Sequence, residues 1–199
     1  MKKGFTIIEL LVVLAISAML SAIAITYTGM ERNQIALSVE TAKIAGLILR
    51  AKELSITTYA QSPSTCAYGV SFNIAANTYS IFAFNPDAAK YSASIPPCPG
   101  AASVLDAGIA QSSEVVQYSL ETWNIPLANG VHMQSGGNGD DLAVVIFYPP
   151  APTTIMSRDG ERFLDPQTTP NMTSLVYLAT GDGTTHATIA VNAAGQISF

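Results

Sequence analysis

The sequence predicts an α+β fold: one long N-terminal helix, membrane-spanning at first and amphipathic thereafter, carrying a β-rich antiparallel head. Three observations carry this reading. No residue from Leu10 to Met30 is charged, a helical stripe of apolar residues continues to about Ala60, and beyond Pro63 the chain alternates apolar and polar positions between turn signals. At 199 residues there is room for one ordinary domain plus an appendage.

The first element is the apolar run. Leu10-Leu11-Val12-Val13-Leu14-Ala15-Ile16 continues through Met19, Leu20, Ile23 and Ile25. As a helix, Phe5 to Ile25 rises about 31 Å, close to the hydrocarbon thickness of a bilayer. Lys2 and Lys3 precede it, which leaves them on the cytoplasmic side and everything after Tyr27 outside. An ordinary secretory signal has a small-residue cleavage site behind its apolar stretch. Here Ser17-Ala18 and Ser21-Ala22 form no Ala-x-Ala site, and the apolar run passes without a break into a polar helical pattern.

Glu9 stands at the start of this helix, where a carboxylate is costly unless it has a partner or lies at headgroup level. The whole stretch Lys2-Lys3-Gly4-Phe5-Thr6-Ile7-Ile8-Glu9-Leu10 resembles the prepilin motif of type IV pilins and type II secretion pseudopilins. The resemblance implies cleavage between Gly4 and Phe5 by a prepilin peptidase, methylation of the new Phe5 amine, and an assembly contact at Glu9. The freed amine of a neighbouring subunit then becomes the cation that Glu9 needs. On this basis the chain divides into a leader (residues 1–4), a transmembrane and filament-core helix (5–28), its amphipathic continuation (29–61) and an extracytoplasmic head (62–199). Many major pilins carry a proline in this helix, whereas here none occurs before Pro63, so a proline kink has no local cause.

In the continuation, Leu37, Ile44, Ile48 and Ala51 fall on one face with Leu47 and Leu54 beside it, as expected of a helix packed on its own domain. Ser62-Pro63-Ser64 is the expected stop. In the head, Ala67 to Phe72 and Thr78 to Phe84 read as a hairpin. Asn85 to Gly108 is polar and Pro-rich and reads as a loop. Further strands are expected at Val115 to Leu120, Val131 to Gln134, Leu142 to Tyr148, Leu175 to Thr180 and Thr185 to Asn192, with Gly195 turning the chain into a last strand at Gln196 to Phe199. The closing stretch, Ala187 to Ile197, also resembles minor pseudopilins of the H type and related minor pilins, which implies a minor subunit.

Charge narrows the function. Residues 1–53 sum to +2 and the remainder to −7, so the head offers little to a phosphate backbone and nucleic acid is not the expected partner. Cys66 and Cys98 lie 32 positions apart without metal-ligand spacing; in an exported region they could form one disulfide, the alternative being two free thiols. His132 and His186 sit in expected strands outside any catalytic motif. Asp140, Asp141, Asp159 and Asp165 are the acids to test for calcium, although their spacing matches no calcium loop, and no metal or cofactor is expected. Gly181-Asp182-Gly183 lacks the lysine of a phosphate loop and reads as a turn. The aromatic residues Tyr68, Phe72, Tyr79, Phe82 and Phe84 read as sheet packing rather than a stacking surface.

The expected function is therefore that of a structural, non-enzymatic subunit, a minor one, of a type IV pilus or a type II secretion pseudopilus. Its implied partners are other pilin or pseudopilin subunits, the prepilin peptidase, an inner-membrane assembly platform and, before assembly, membrane lipid. The alternative is a pilus-associated adhesin or DNA-uptake minor pilin whose head binds a ligand.

Overall fold

A computed structural model describes residues 6–59, 65–84, 124–149, 153–159, 163–164 and 171–199, without the side chains of residues 25–30, 58–59, 84 and 163. The first element is a single helix, α1, over Ile7–Tyr59, 53 residues long and so about 80 Å from end to end. Nothing in the sequence interrupts it, since proline is absent until Pro63. The predicted stop at Ser62-Pro63-Ser64 and the loop from Asn85 to Gly108 lie outside the described residues, as does the strand expected at Val115 to Leu120.

From Leu37 onward one face of α1 is buried. Leu37, Thr41, Ile44, Ile48, Ala51 and Ser55 recur at alternating four- and three-residue steps, and all are buried. Leu47 and Leu54 flank this seam, half-buried. The predicted stripe thus faces the domain.

The head consists of ten strands: β1 (Ala67–Asn73), β2 (Thr78–Phe84), β3 (Ile125–Pro126), β4 (Val131–Gln134), β5 (Val144–Tyr148), β6 (Thr153–Ser157), β7 (Phe163–Leu164), β8 (Thr173–Thr180), β9 (His186–Asn192) and β10 (Ile197–Ser198). They form a six-stranded sheet ordered β3-β2-β1-β5-β6-β7 and a four-stranded sheet ordered β10-β9-β8-β4. Neighbouring strands within each sheet are antiparallel. Both sheets lay one face on α1: Tyr68, Val70 and Phe72 of the first and Val176, Leu178, Ile189 and Val191 of the second share a core with Leu37, Ile44, Ile48 and Ala51.

The larger sheet is buried on its other face as well, where Cys66, Ala67, Phe82, Val144, Ile146, Tyr148 and Ile155 form a second cluster. This divides the aromatic residues of the hairpin: Tyr68, Phe72 and Tyr79 meet the helix, and Phe82 lies on the opposite side. Gly69 is needed where the two strands and Phe82 close up, because a Cβ there would stand 2.6 Å from the carbonyl oxygen of Val145.

Three strands have no counterpart in the sequence reading. Thr153–Ser157 follows a proline-rich stretch and is buried from Thr154 to Ser157, so it shows no alternation for a pattern to catch. β3 and β7 are two residues each, too short to carry a period, and β3 places Pro126 at a sheet edge, where its missing N–H is tolerated. The expected strand from Leu142 begins instead at Val144; before the chain joins the larger sheet, Leu142 N donates to the Leu175 carbonyl and Leu175 N to the Asp140 carbonyl, which sets Asp141 beside Leu175 of the smaller sheet.

The two sheets are tied by Asn77. Its backbone is left-handed (φ 58°), a conformation that Asn tolerates better than most residues, and it lies in the tight connection between β1 and β2. Its side chain bonds to β4 as a neighbouring strand's peptide group would: Met133 N donates to Asn77 Oδ1 at 2.6 Å, and Asn77 Nδ2 donates to the Val131 carbonyl at 3.3 Å. The C-terminal turn is tied to the helix in a comparable way. Lys52 Nζ donates to the carbonyl of Gly195 at 3.0 Å, and Gly195 (φ +67°) leaves no space for a side chain beside Thr154.

Candidate functional site along the N-terminal helix

The helix begins with a capping box that the sequence reading did not draw from Thr6-Ile7-Ile8-Glu9, although the Thr-x-x-Glu spacing is its signature. Thr6 N and Thr6 Oγ1 each donate to Glu9 Oε2 at 2.9 Å, and Glu9 N donates to Thr6 Oγ1 at 3.4 Å. Glu9 therefore has a local task in the single subunit: its carboxylate satisfies one backbone donor at the helix start, as the Thr6 hydroxyl does another, and hydrocarbon would leave both bare. Gly4 and Phe5, the expected cleavage and methylation positions, lie outside the described residues.

Behind the cap, Ile7–Ala24 has a mean hydropathy of 2.5 and none of it is buried against the rest of the chain. Ile7, Leu11, Leu14 and Met19, for example, are all more than half exposed. A helix apolar on all sides and covered on none needs either lipid or other helices around it. The length and composition suffice to cross a membrane.

Where the helix enters the head, its polar residues hold it in place. Glu40 is 1% exposed; it receives Lys43 Nζ at 2.6 Å and the Tyr79 hydroxyl at 3.5 Å. Burial first, and then the adjacent Glu40 carboxylate, pushes the Tyr79 phenol up to about 12. Lower on the helix, Asn33 contributes to the turn around Asp182. That carboxylate accepts from the Thr180 hydroxyl and from Thr184 N and Oγ1 at 3.1 and 2.9 Å. Chiefly through the Thr180 hydroxyl, the Asp182 pKa is held down to about 2.

The head acids weighed for calcium are occupied otherwise. Tyr177 OH donates to both carboxylate oxygens of Asp140 at 3.2 Å, while Asp141 accepts from Ser135 Oγ and from Gly136 N at 2.8 Å. Asp159 accepts from Ser157 Oγ at 3.1 Å, and Asp165 lies outside the described residues. Among the described residues no group of three or more His, Cys, Asp or Glu is placed to hold a metal ion. His132 and His186 flank Ala179 from either side across the smaller sheet, and Gln134 Nε2 lies 3.1 Å from His186 Nδ1. Cys66 is buried in the second cluster, and Cys98 lies outside the described residues.

Residues 1–25 match the family described as the prokaryotic N-terminal methylation motif. No curated protein and no solved structure matches the chain. The matched segment covers the capping box and the uncovered apolar helix, and the motif is characteristic of type IV pilins and pseudopilins.

Proposed function

We propose that the chain is a structural subunit of a type IV pilus or a type II secretion pseudopilus, made as a precursor, cut between Gly4 and Phe5, methylated on the new amine, and assembled through α1. The observation that carries this is the motif match over residues 1–25 coinciding with an apolar helix that its own head leaves wholly uncovered. In the membrane, lipid surrounds Ile7–Ala24 and the head stands on the extracytoplasmic side, with Lys2 and Lys3 opposite.

On assembly, other subunits' helices replace lipid. A carboxylate amid apolar helices then requires a cation, and the freed Phe5 amine of a neighbouring subunit supplies it. The partners in this sequence are a prepilin peptidase, a membrane assembly platform and other pilin-type subunits. The role is structural: the helix holds and positions, and no bond is made or broken by the head.

Mass spectrometry of the exported protein tests the reading. The expected product begins at Phe5 and carries one methyl group on its amine. An intact Met1, or a cut behind Ala24, would overturn it.

Export would place Cys66 and Cys98 in an oxidising compartment, and we take them to be joined. On the chain-entropy model a loop of this length is worth roughly 3–4 kcal/mol. Peptide mapping without reductant should recover the linked pair, and recovery of both as free thiols from freshly exported protein would exclude it.

A further inference from the structure

The half of α1 that carries the head has a second seam, opposite the buried one. Ile35, Val39, Leu49 and Ile56 are 62%, 45%, 55% and 49% exposed, although this part of the helix is packed on a folded domain. Between them lie Ala42 and Gly46, also exposed, and a Cβ at Gly46 would meet nothing within 4 Å. The steps along this seam alternate between four and three residues, the spacing of a helix that packs against another in a left-handed crossing of about 20°. The same phase continues to two exposed charges, Arg32 below Ile35 and Glu53 between Leu49 and Ile56.

We propose that this seam receives the apolar N-terminal half of a second copy of the chain, parallel to the first and displaced along the axis by three heptads. This deepens the assembly reading and rests on it. Arg32 and Glu53 are 21 residues apart, so the displacement is about 32 Å and brings Arg32 of one copy level with Glu53 of the other. In the same register Leu14 lies level with Ile35, Ala18 with Val39, Ser21 with Ala42, and Ile35 with Ile56.

Displacements of one or two heptads keep the seams in phase, but they set Arg32 against Val39 or Gly46 and leave Glu53 facing Gly46 or Val39. Only three heptads pair the two charges. The lengths also agree: Ile7–Ala24 is 18 residues, about 27 Å, against about 32 Å for the seam from Ile35 to Ile56. A helix in a bundle has several neighbours, so the Glu9 pairing belongs to a different one. Copies of the chain are then neighbours in the filament, which goes beyond the minor role that the C-terminal resemblance implies.

Cysteine pairs in the full chain test the register, read as chain–chain multimers that the parent chain does not form on non-reducing gels of sheared filaments. Ser21→Cys with Ala42→Cys should give them. Ser21→Cys with Ile35→Cys, or with Leu49→Cys, should not. A charge swap gives an independent readout: Arg32→Glu and Glu53→Arg should each lower incorporation about tenfold or more, and the double variant should restore it. Multimers from either control pair, no chain–chain multimer at all, or no rescue by the double variant would overturn this register while leaving helix-led assembly standing. A wild-type chain that is processed yet never reaches the sheared fraction would overturn the assembly reading as well.

Discussion

Asn77 joins the two sheets through one carboxamide, and substitutions there can separate its hydrogen bonds from its backbone conformation. Asn77→Gly keeps the left-handed φ of 58° available but leaves Met133 N and the Val131 carbonyl without their side-chain partner. Met133 is 5% exposed, so its N–H has little access to water. An unmade buried donor costs about 1–3 kcal/mol and the longer second bond about 0.5–1 kcal/mol, for a loss of about 1.5–4 kcal/mol. Asn77→Ala loses the same bonds and must also hold an alanine at positive φ, which adds about 1–2 kcal/mol. For a chain of this size each kcal/mol shifts Tm by about 2–4 °C. Thermal unfolding of the detergent-solubilised chain, followed through the aromatic signal of the head, should therefore rank wild type, Asn77→Gly and Asn77→Ala in descending order. The first step should be about 3–16 °C. If Asn77→Gly melts with the wild type, the clamp between the sheets does no mechanical work and the reasoning fails. If Ala melts with Gly, the positive φ is not a constraint.

Glu9→Gln retains an acceptor for Thr6 but removes the charge, whereas Thr6→Ala weakens the cap and keeps the charge. Both variants should insert and be cleaved, with Glu9→Gln absent from sheared filaments and Thr6→Ala present, and equal incorporation of the two would confine Glu9 to helix capping. Asp182 has a depressed pKa, so its contribution is present above the unfolded value of 3.8 and is lost as pH falls through about 2. Wild type should lose more stability than Asp182→Asn over that acid window, and parallel melting curves would contradict this. Tyr79 has a raised pKa, so its contribution is complete below 10 and is lost as pH rises through about 12. Glu40→Gln should bring its phenolate titration down only part of the way, because burial is the larger cause; an unchanged titration would mean that the buried carboxylate is not felt at the hydroxyl.

Much of this was legible in the residues because it depends on short-range order. The uncharged run, the absence of proline before Pro63 and the recurrence of Leu37, Ile44, Ile48 and Ala51 are local patterns, and they dictate a continuous helix with one inward face whatever it packs against. The hairpin of Ala67 to Phe84 was legible for the same reason, its alternation being interrupted by a compact Asn-rich turn. So was the prepilin-like start, whose chemistry is contiguous.

What the sequence did not reveal depends on partners far along the chain. β6 lacks alternation because the larger sheet is covered on both faces, and only the tertiary arrangement says so. Asn77 reads as an ordinary turn residue until β4, more than fifty positions later, is brought to its carboxamide. Glu40 reads as one more charge on an amphipathic helix until the fold buries it against Tyr79. The sequence by itself determined that an apolar helix precedes a β-rich head, since propensity and hydrophobic period act over a few residues. The tertiary structure decided which face of that helix the head covers and which it leaves open, because burial is settled only when distant strands close over one seam and leave the opposite one bare.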